Sequence, residues 1–582
     1  MLKSVSYRIL DRIETRLHYL YGEPAHSLAN RLFMMIGRYG IGLDGYRVPS
    51  PTTWDERDIT LITYGDMVHT TDEAPLKTLH HFLKKRLYDA IQTVHILPFF
   101  PYSSDDGFSV IDYRRVDPKL GTWKDVADLR TSFNLMFDLV INHVSRQSSW
   151  FKDYVNDIDP YRHFFIEVDS QTDVSCVVRP RNLPLLTEAH TRHGPTHVWT
   201  TFSSDQIDVN FGNPEVLFEY LDILMSYIAH GARVIRLDAI AYLWKAIGTP
   251  CIHLTQTHEV VKLIRDFLSM IAPDVWLITE TNVPHDENIS YFSNGDEAHM
   301  VYQFSLPPLI AHGLLNQNAS HLTQWAAALP TLDDKQAFFN FTASHDGVGV
   351  RPLQGLVPDA EVKRLVEHVE RLGGRVSWKR DSDGSQSPYE LNITYFDLLG
   401  DDPTIVTEAH IQRFLSSQAI MLAMRGMPAV YFNSLFGARN HQTGLAETGH
   451  NRTLNRQKWD QAELIQLLDT PDSHTHRVFT AYLHLLQTRR SHAAFHPSGD
   501  QRVILLGDAL FALLRVSPSS DETILCVTNF SHEHISICPA DCEIGWTQST
   551  RLRDLLQPDA PSGQGAAWQL LPFQTVWLTL AL

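Results

Sequence analysis

The sequence predicts an α/β fold: a (β/α)₈ barrel with a long loop domain inserted after its third strand and an antiparallel β domain at its C-terminus. Two observations carry this expectation. Eight short apolar runs, at 59–64, 94–99, 135–141, 234–237, 276–279, 301–304, 338–341 and 429–432, are interleaved with stretches of helical spacing, which is the element order of a parallel barrel. Three of the runs lead into carboxylates, namely Asp238 after RVIRL, Glu280 in VWLITETN and Asp346 in FFNFTASHD. A parallel strand buried on both faces tolerates charge best at its end, and barrels assemble their chemistry from the C-terminal ends of several strands.

In chain order, residues 1–53 read as a helical extension. Ile9, Ile13, Leu17 and Leu20, then Leu28, Leu32 and Ile36, recur at helical spacing before Gly40 and Gly42, and Pro49, Pro51, Thr52 and Thr53 read as a linker. The barrel then occupies 54–144, 210–346 and 401–496, with helical patterns at 75–87, 214–229, 257–271, 360–372 and 410–424. Its two interruptions, 145–209 after the third strand and 347–400 after the seventh, are far longer than ordinary connections and are therefore expected to be functional, at the catalytic face. From 497 to 582 the pattern changes to short alternating runs at 503–506, 510–514, 524–528 and 575–580, as in a small antiparallel β domain.

Composition narrows the function. A chain of 582 residues exceeds one hydrophobic core, and a net charge of -18 argues against a nucleic-acid surface. The five cysteines, at 176, 251, 526, 538 and 542, are scattered and odd in number, so they read as reduced thiols. The N-terminus MLKSVSYRILDRIETRL has no signal-peptide core, and the longest apolar stretch, 419–432, is broken by Arg425 and Pro428. A cytoplasmic enzyme that neither spans nor binds a membrane is expected. HEVVK at His258 lacks the second histidine of a zinc protease, Gly347 and Gly349 lack the third glycine of a dinucleotide loop, and no run of oxygen ligands suggests calcium.

Four segments resemble, in order and spacing, the signature regions of the α-amylase clan, glycoside hydrolase family 13: DLVINH ending on His143, RLDA around Asp238, TET at Glu280 and SHD at 344–346. DDGFSVIDY (105–113), RPRNLPLLT (179–187), WTTFSSDQIDVN (199–210), QFSLPPL (303–309), SHDGVGV (344–350), SPYELNITY (387–395) and GHNRTLNR (449–456) further resemble its sucrose-phosphorylase branch. Within that branch the chain is most similar to glucosylglycerate phosphorylases, over nearly everything from Trp54 onward.

This resemblance implies a retaining double displacement, and the residue types suit that chemistry. Asp238 would be the nucleophile forming a β-glucosyl ester, and Glu280 the general acid and then the general base, its pKa the higher of the two. Asp346 would brace the sugar 2- and 3-hydroxyls. Arg236, two residues before Asp238 and so on the same strand face, is placed to keep it ionised. The resemblance also assigns His143 and His345 to the glucose hydroxyls, Asp105 to the distal 4-hydroxyl, Phe108 to a stack beneath the ring, and Arg452 to a pair with Asp105. It implies a small glucoside and inorganic phosphate as partners, with no cofactor and no metal; the sequence leaves the oligomeric state open, with a homodimer among the options.

A phosphorylase must select phosphate over water. With water at ~55 M and phosphate about millimolar, that takes ~10⁴-fold or more, which is ~5.5 kcal/mol of transition-state preference. Arg181 in RPR and Tyr389 in SPYELN match the branch's phosphate-contacting arginine and tyrosine. Asn282, two residues past the acid/base, and Glu390, next to Tyr389, depart from the sucrose phosphorylases where a fructosyl group would sit. They point instead to D-glycerate as the released acceptor, held by Arg181 with Lys379 and Arg380 adding charge. Sucrose or sucrose 6-phosphate phosphorylase, and a hydrolase or transglucosidase on the same fold, remain alternatives. A non-catalytic transporter-accessory subunit would lack a catalytic carboxylate, and this chain has all three.

Overall fold

The computed structural model describes residues 2–40, 54–380, 385–542, 544–547, 550–557 and 567–581. The linker read from Pro49, Pro51, Thr52 and Thr53 lies outside these residues, as do Gly42 and the side chain of Arg380.

Eight parallel strands close into a barrel: β1 (Thr60–Thr63), β2 (Thr93–Ile96), β3 (Asn134–Val140), β4 (Ala232–Asp238), β5 (Trp276–Thr279), β6 (Met300–Tyr302), β7 (Ala337–Phe341) and β8 (Met427–Tyr431). Each bonds to its neighbours in chain order, and β8 returns to β1 with Ala429 opposite Thr60. The strands are buried on both faces, which is why they read as near-continuous apolar runs. All eight coincide with the expected runs. The ends differ by a few residues where apolar side chains outlast the ladder: Leu97, Phe99 and Phe100 are buried beyond β2, but Pro98 between them has no N–H to donate.

The helices follow from local chemistry. Pro214–Ala229 starts where Asn213 accepts from the Glu215 amide at 3.0 Å and Pro214 takes the first helical position, and it ends before Gly231 at positive φ. The N-terminal segment forms two helices, Leu2–Tyr21 and Ala25–Met35. The first is fastened to the barrel helix Thr255–Ile271 by Arg16, which donates to Asp266 at 2.9 Å and to Glu259 at 2.8 Å.

Both long interruptions carry structure of their own. The first holds the hairpin Leu186–Thr191 with Gly194–Trp199, and it returns to the barrel where Gln206–Asp208 pairs antiparallel with His143–Ser145. The second forms a sheet of Val348–Gly349, Gln386–Asn392 and Arg375–Arg380, flanked by helix Asp359–Arg371. At the C-terminus lies a five-stranded sheet, ordered Asp500–Ile504, Leu510–Val516, Thr523–Asn529, Thr575–Leu580 and Leu552–Asp554, all antiparallel neighbours. Among the described residues no helix is long and apolar enough to cross a membrane, and the five cysteines form no disulfide.

Candidate active site

The C-terminal ends of the strands converge on one acidic centre. Asp238 is the last residue of β4, Glu280 follows β5 directly, and Asp346 lies five residues past β7. Side chains two apart on a strand share a face, so Arg236 and Asp238 point the same way, and Arg236 Nη1 donates to Asp238 Oδ1 at 2.8 Å. The same guanidinium bonds Asp138, its register partner on β3, and its Nη2 stands 3.8 Å from Glu280 Oε2. Behind Asp138 sits His95 of β2, at 2.6 Å. Burial opposes the ionisation of Asp138, yet His95 and Arg236 overcome it and hold that carboxyl at about 2. A buried charge therefore underpins Arg236.

Burial pushes both Asp238 and Glu280 above the usual carboxylate range, with Arg236 the main opposing charge on each. The structure thus raises the nucleophile candidate as well as the acid/base. Geometry separates their roles, because Asp238 touches the guanidinium at 2.8 Å whereas Glu280 stands 3.8 Å away. In a pair supported by one arginine, the charge rests on Asp238 and the proton on Glu280. Ala239, in left-handed backbone at φ 50°, turns its N–H to Glu280 Oε2 at 3.0 Å and fixes that carboxyl beside the nucleophile.

A second arginine organises the opposite wall. Arg452 meets Asp346 at 2.6 Å and donates to both oxygens of Glu390, at 3.0 and 2.8 Å, while standing 3.9 Å from Asp105. Its expected pair with Asp105 is thus the longest of its contacts. Glu390, expected beside the acceptor, is 3% exposed and fully engaged, since Gly347 N–H also donates to it at 2.9 Å. Glu390 was singled out as a departure from the sucrose phosphorylases where a fructosyl group would sit; in the structure both of its oxygens face Arg452. Asn282 abuts Gly349 closely enough that a Cβ there would come within 2.6 Å of its Oδ1, which is buried and has no hydrogen-bond partner.

Asp105 is surrounded by cations. Arg181 Nη2 donates to it at 3.2 Å, and Arg452 and Arg456 each lie at 3.9 Å. Burial disfavours its charge, but the three arginines outweigh burial and hold the carboxyl well below its ordinary range. Arg181, the expected phosphate contact, therefore rests on Asp105 with its guanidinium 5.7 Å from the Phe202 ring. His143 accepts from Asn142 Nδ2 at 3.2 Å on Nδ1, which leaves Nε2–H to donate to the Phe108 carbonyl at 2.9 Å. His345 is stacked on Phe108 at 4.7 Å and 4°, and its Nδ1 is buried without a partner. Burial and the nearby Arg456, Arg236 and Arg452 hold its pKa well below the usual value, so it is a neutral donor. The Tyr389 hydroxyl is buried, and burial first, then Tyr242, Glu390 and Glu280, push its pKa up.

Several site residues were missed in the sequence. Tyr64, just past β1, meets His345 edge-on at 6.1 Å and carries a buried, unpartnered hydroxyl; its place at a strand end was the available signal. Arg456 donates to the His345 carbonyl at 2.8 Å and ties that loop down, and it lies within the same GHNRTLNR segment as Arg452. Lys245 Nζ, fully enclosed, bonds Asn142 Oδ1 at 2.6 Å and Asp208 Oδ2 at 2.7 Å, so an ammonium fastens the first insertion to the β3 end beside His143. Among the described residues no group of three or more His, Cys, Asp or Glu is placed to hold a metal ion. His258, in HEVVK, pairs with Glu297 at 3.0 Å.

Residues 85–348 match the α-amylase catalytic domain. The chain is 47% identical to the glucosylglycerate phosphorylase of Spirochaeta thermophila, over 90% of this chain and 89% of that one, and 43% identical to that of Allomeiothermus silvanus, over 99% and 100%. The crystal structure of sucrose 6F-phosphate phosphorylase from Thermoanaerobacter thermosaccharolyticum superposes with a TM-score of 0.72 at 25% identity, covering 83% of this chain and 95% of that one. The chain belongs to the α-amylase family, glycoside hydrolase family 13, in the branch shared by the glucosylglycerate and sucrose phosphorylases.

Proposed function

We propose that the protein is a retaining phosphorylase that transfers α-glucosyl from 2-O-α-glucosyl-D-glycerate to inorganic phosphate, giving α-D-glucose 1-phosphate and D-glycerate. The observation that carries the reaction type is the single guanidinium of Arg236, bonded to Asp238 and reaching Glu280. It supports the charge on Asp238, the carboxylate it touches, and leaves Glu280 the more loosely held of the two, which suits a nucleophile beside an acid/base. The substrate is carried by likeness to the two glucosylglycerate phosphorylases over nine-tenths or more of the chain.

In the first half-reaction Asp238 attacks the anomeric carbon while Glu280 gives its proton to the departing glycerate oxygen. Asp346, paired with Arg452 at 2.6 Å, accepts hydrogen bonds from ring hydroxyls that strengthen as positive charge develops on the sugar. In the second half, Glu280 as carboxylate takes a proton from phosphate as a phosphate oxygen attacks the anomeric carbon, the ester C–O bond breaks and Asp238 leaves as the carboxylate. Arg181 and Tyr389 are the phosphate contacts in this reading. Arg181 is only lightly committed, with one 3.2 Å contact to Asp105, and is free to turn to an arriving anion.

Run in reverse from α-glucose 1-phosphate, glycerate should be used at least roughly tenfold better in kcat/KM than fructose, a difference of ~1.4 kcal/mol or more. Fructose or its 6-phosphate as the better acceptor would overturn the substrate while leaving the phosphorylase mechanism in place.

A further inference from the structure

Three arginines of the acidic centre are spoken for, Arg236 by Asp138 and Asp238, Arg452 by Asp346 and Glu390, and Arg456 by Asp106, while Arg181 has its single contact to Asp105 and is assigned to phosphate. Arg351 is different. It opens the short helical turn Arg351–Leu353 at the head of the second insertion, and among the described residues it forms no ion pair. Its Nε is buried with no hydrogen-bond partner. Its guanidinium reaches the Tyr242 hydroxyl, and its charge acts on Tyr389 and His253.

The backbone around Arg351 is pinned to the segments that carry Asn282, Tyr389 and Ser305. Gly349 pairs with Glu390 and presses on Asn282, Val350 N–H donates to the Tyr389 carbonyl at 3.1 Å, and Ser305 donates to the Pro352 carbonyl at 3.3 Å. Tyr242 ends the turn Ile240–Tyr242, which begins two residues past Asp238, and packs edge-on against Phe202 at 5.5 Å. The charge of Glu280 is felt at both Tyr242 and Tyr389. Arg351 and Glu280 thus act on the same two tyrosines, Tyr242 and Tyr389, and Gly349, two residues before Arg351, touches Asn282. The two carboxylates that act on Tyr242 from nearby are already engaged, Glu280 by Ala239 N–H at 3.0 Å and Glu287 by His253 at 3.1 Å.

A half-buried guanidinium without a counter-anion is costly to maintain unless a ligand supplies one. We propose that Arg351 is the residue that binds the carboxylate of the acceptor, a forked pair to glycerate whose hydroxyl lies toward Glu280, with the Tyr242 hydroxyl completing the cradle. This deepens the proposed function and rests on it. A forked arginine discriminates an acid from its neutral alcohol analogue because glycerol leaves the same donors unpaired.

The test is the ratio of kcat/KM for D-glycerate to that for glycerol, with α-glucose 1-phosphate as donor, in the wild type, Arg351→Gln and Arg351→Lys. Each ratio is internal to one preparation and so is insensitive to the fraction folded. Arg351→Gln should lower it at least ~30-fold, and Arg351→Lys at least ~5-fold, since a point charge cannot replace the fork. The KM for inorganic phosphate, measured in the forward direction, separates the two anions. A raised phosphate KM with glycerate selectivity within threefold of wild type in both variants overturns the assignment of Arg351. If Arg351→Gln does not fold, an unchanged ratio in Arg351→Lys has the same force. A wild type that prefers glycerol removes the glycerate reading itself, and Arg351 with it.

Discussion

Arg236 Nη1 donates to Asp238 Oδ1 at 2.8 Å, and the contact depends on a buried carboxylate one strand away, Asp138, bonded to the same nitrogen. The nucleophile's charge is therefore provided for before substrate arrives. Asp238→Asn keeps the shape and removes the attacking oxygen. Phosphorolysis should fall by ~10³-fold or more while thermal unfolding and circular dichroism stay near wild type. Near-normal turnover would rule out the double displacement.

Glu280 is held by the Ala239 amide at 3.0 Å on a strained turn, positioned for proton transfer and not for attack. Glu280→Gln should cost ~10²-fold or more on the glucoside, whose leaving group needs a proton. It should cost far less on α-glucosyl fluoride, whose leaving group needs none. Equal losses on both would show that Glu280 serves another purpose.

Arg181 bridges the first insertion to Asp105 at 3.2 Å. In Arg181→Ala, the phosphate KM should rise at least ~5-fold and free glucose should increase relative to glucose 1-phosphate, because water then meets less competition at the ester. An unchanged phosphate KM and product ratio would make this arginine a support for Asp105 alone.

His410 lies between Phe396, stacked at 4.1 Å, and the Phe396 carbonyl, bonded at 2.7 Å. Burial lowers its pKa to about 4. An unfolded histidine titrates near ~6.5, so below that pH the unfolded chain binds the proton first and stability is lost as pH falls toward 4. Across that window the loss at this site is about 3 kcal/mol at most. Urea midpoints at pH 7 and pH 5 should therefore drop less in His410→Asn than in wild type. An equal drop would remove His410 from the acid response.

The barrel was legible because its strands are buried on both faces and because turn chemistry marks its helices, as Asn213 and Pro214 do for Pro214–Ala229. The carboxylates were legible as strand-end charges. Side-chain partnerships were not, since they depend on which chain segments meet. Arg452 and Glu390, 62 residues apart, form a two-pronged pair that no local pattern announces. Tyr64 lay at the edge of an expected strand yet looked like core, and Arg351 sat beyond the last signature motif in a loop whose neighbours only the fold supplies.

The most direct test of retaining phosphorolysis is nuclear magnetic resonance of the first product formed from 2-O-α-glucosyl-D-glycerate in phosphate buffer, read before anomers equilibrate. The Asp238 ester route requires α-D-glucose 1-phosphate, with glycerate released in equal amount and consumption dependent on phosphate. A β-anomer would contradict the retaining assignment, and free glucose formed at the same rate without phosphate would make the protein a hydrolase.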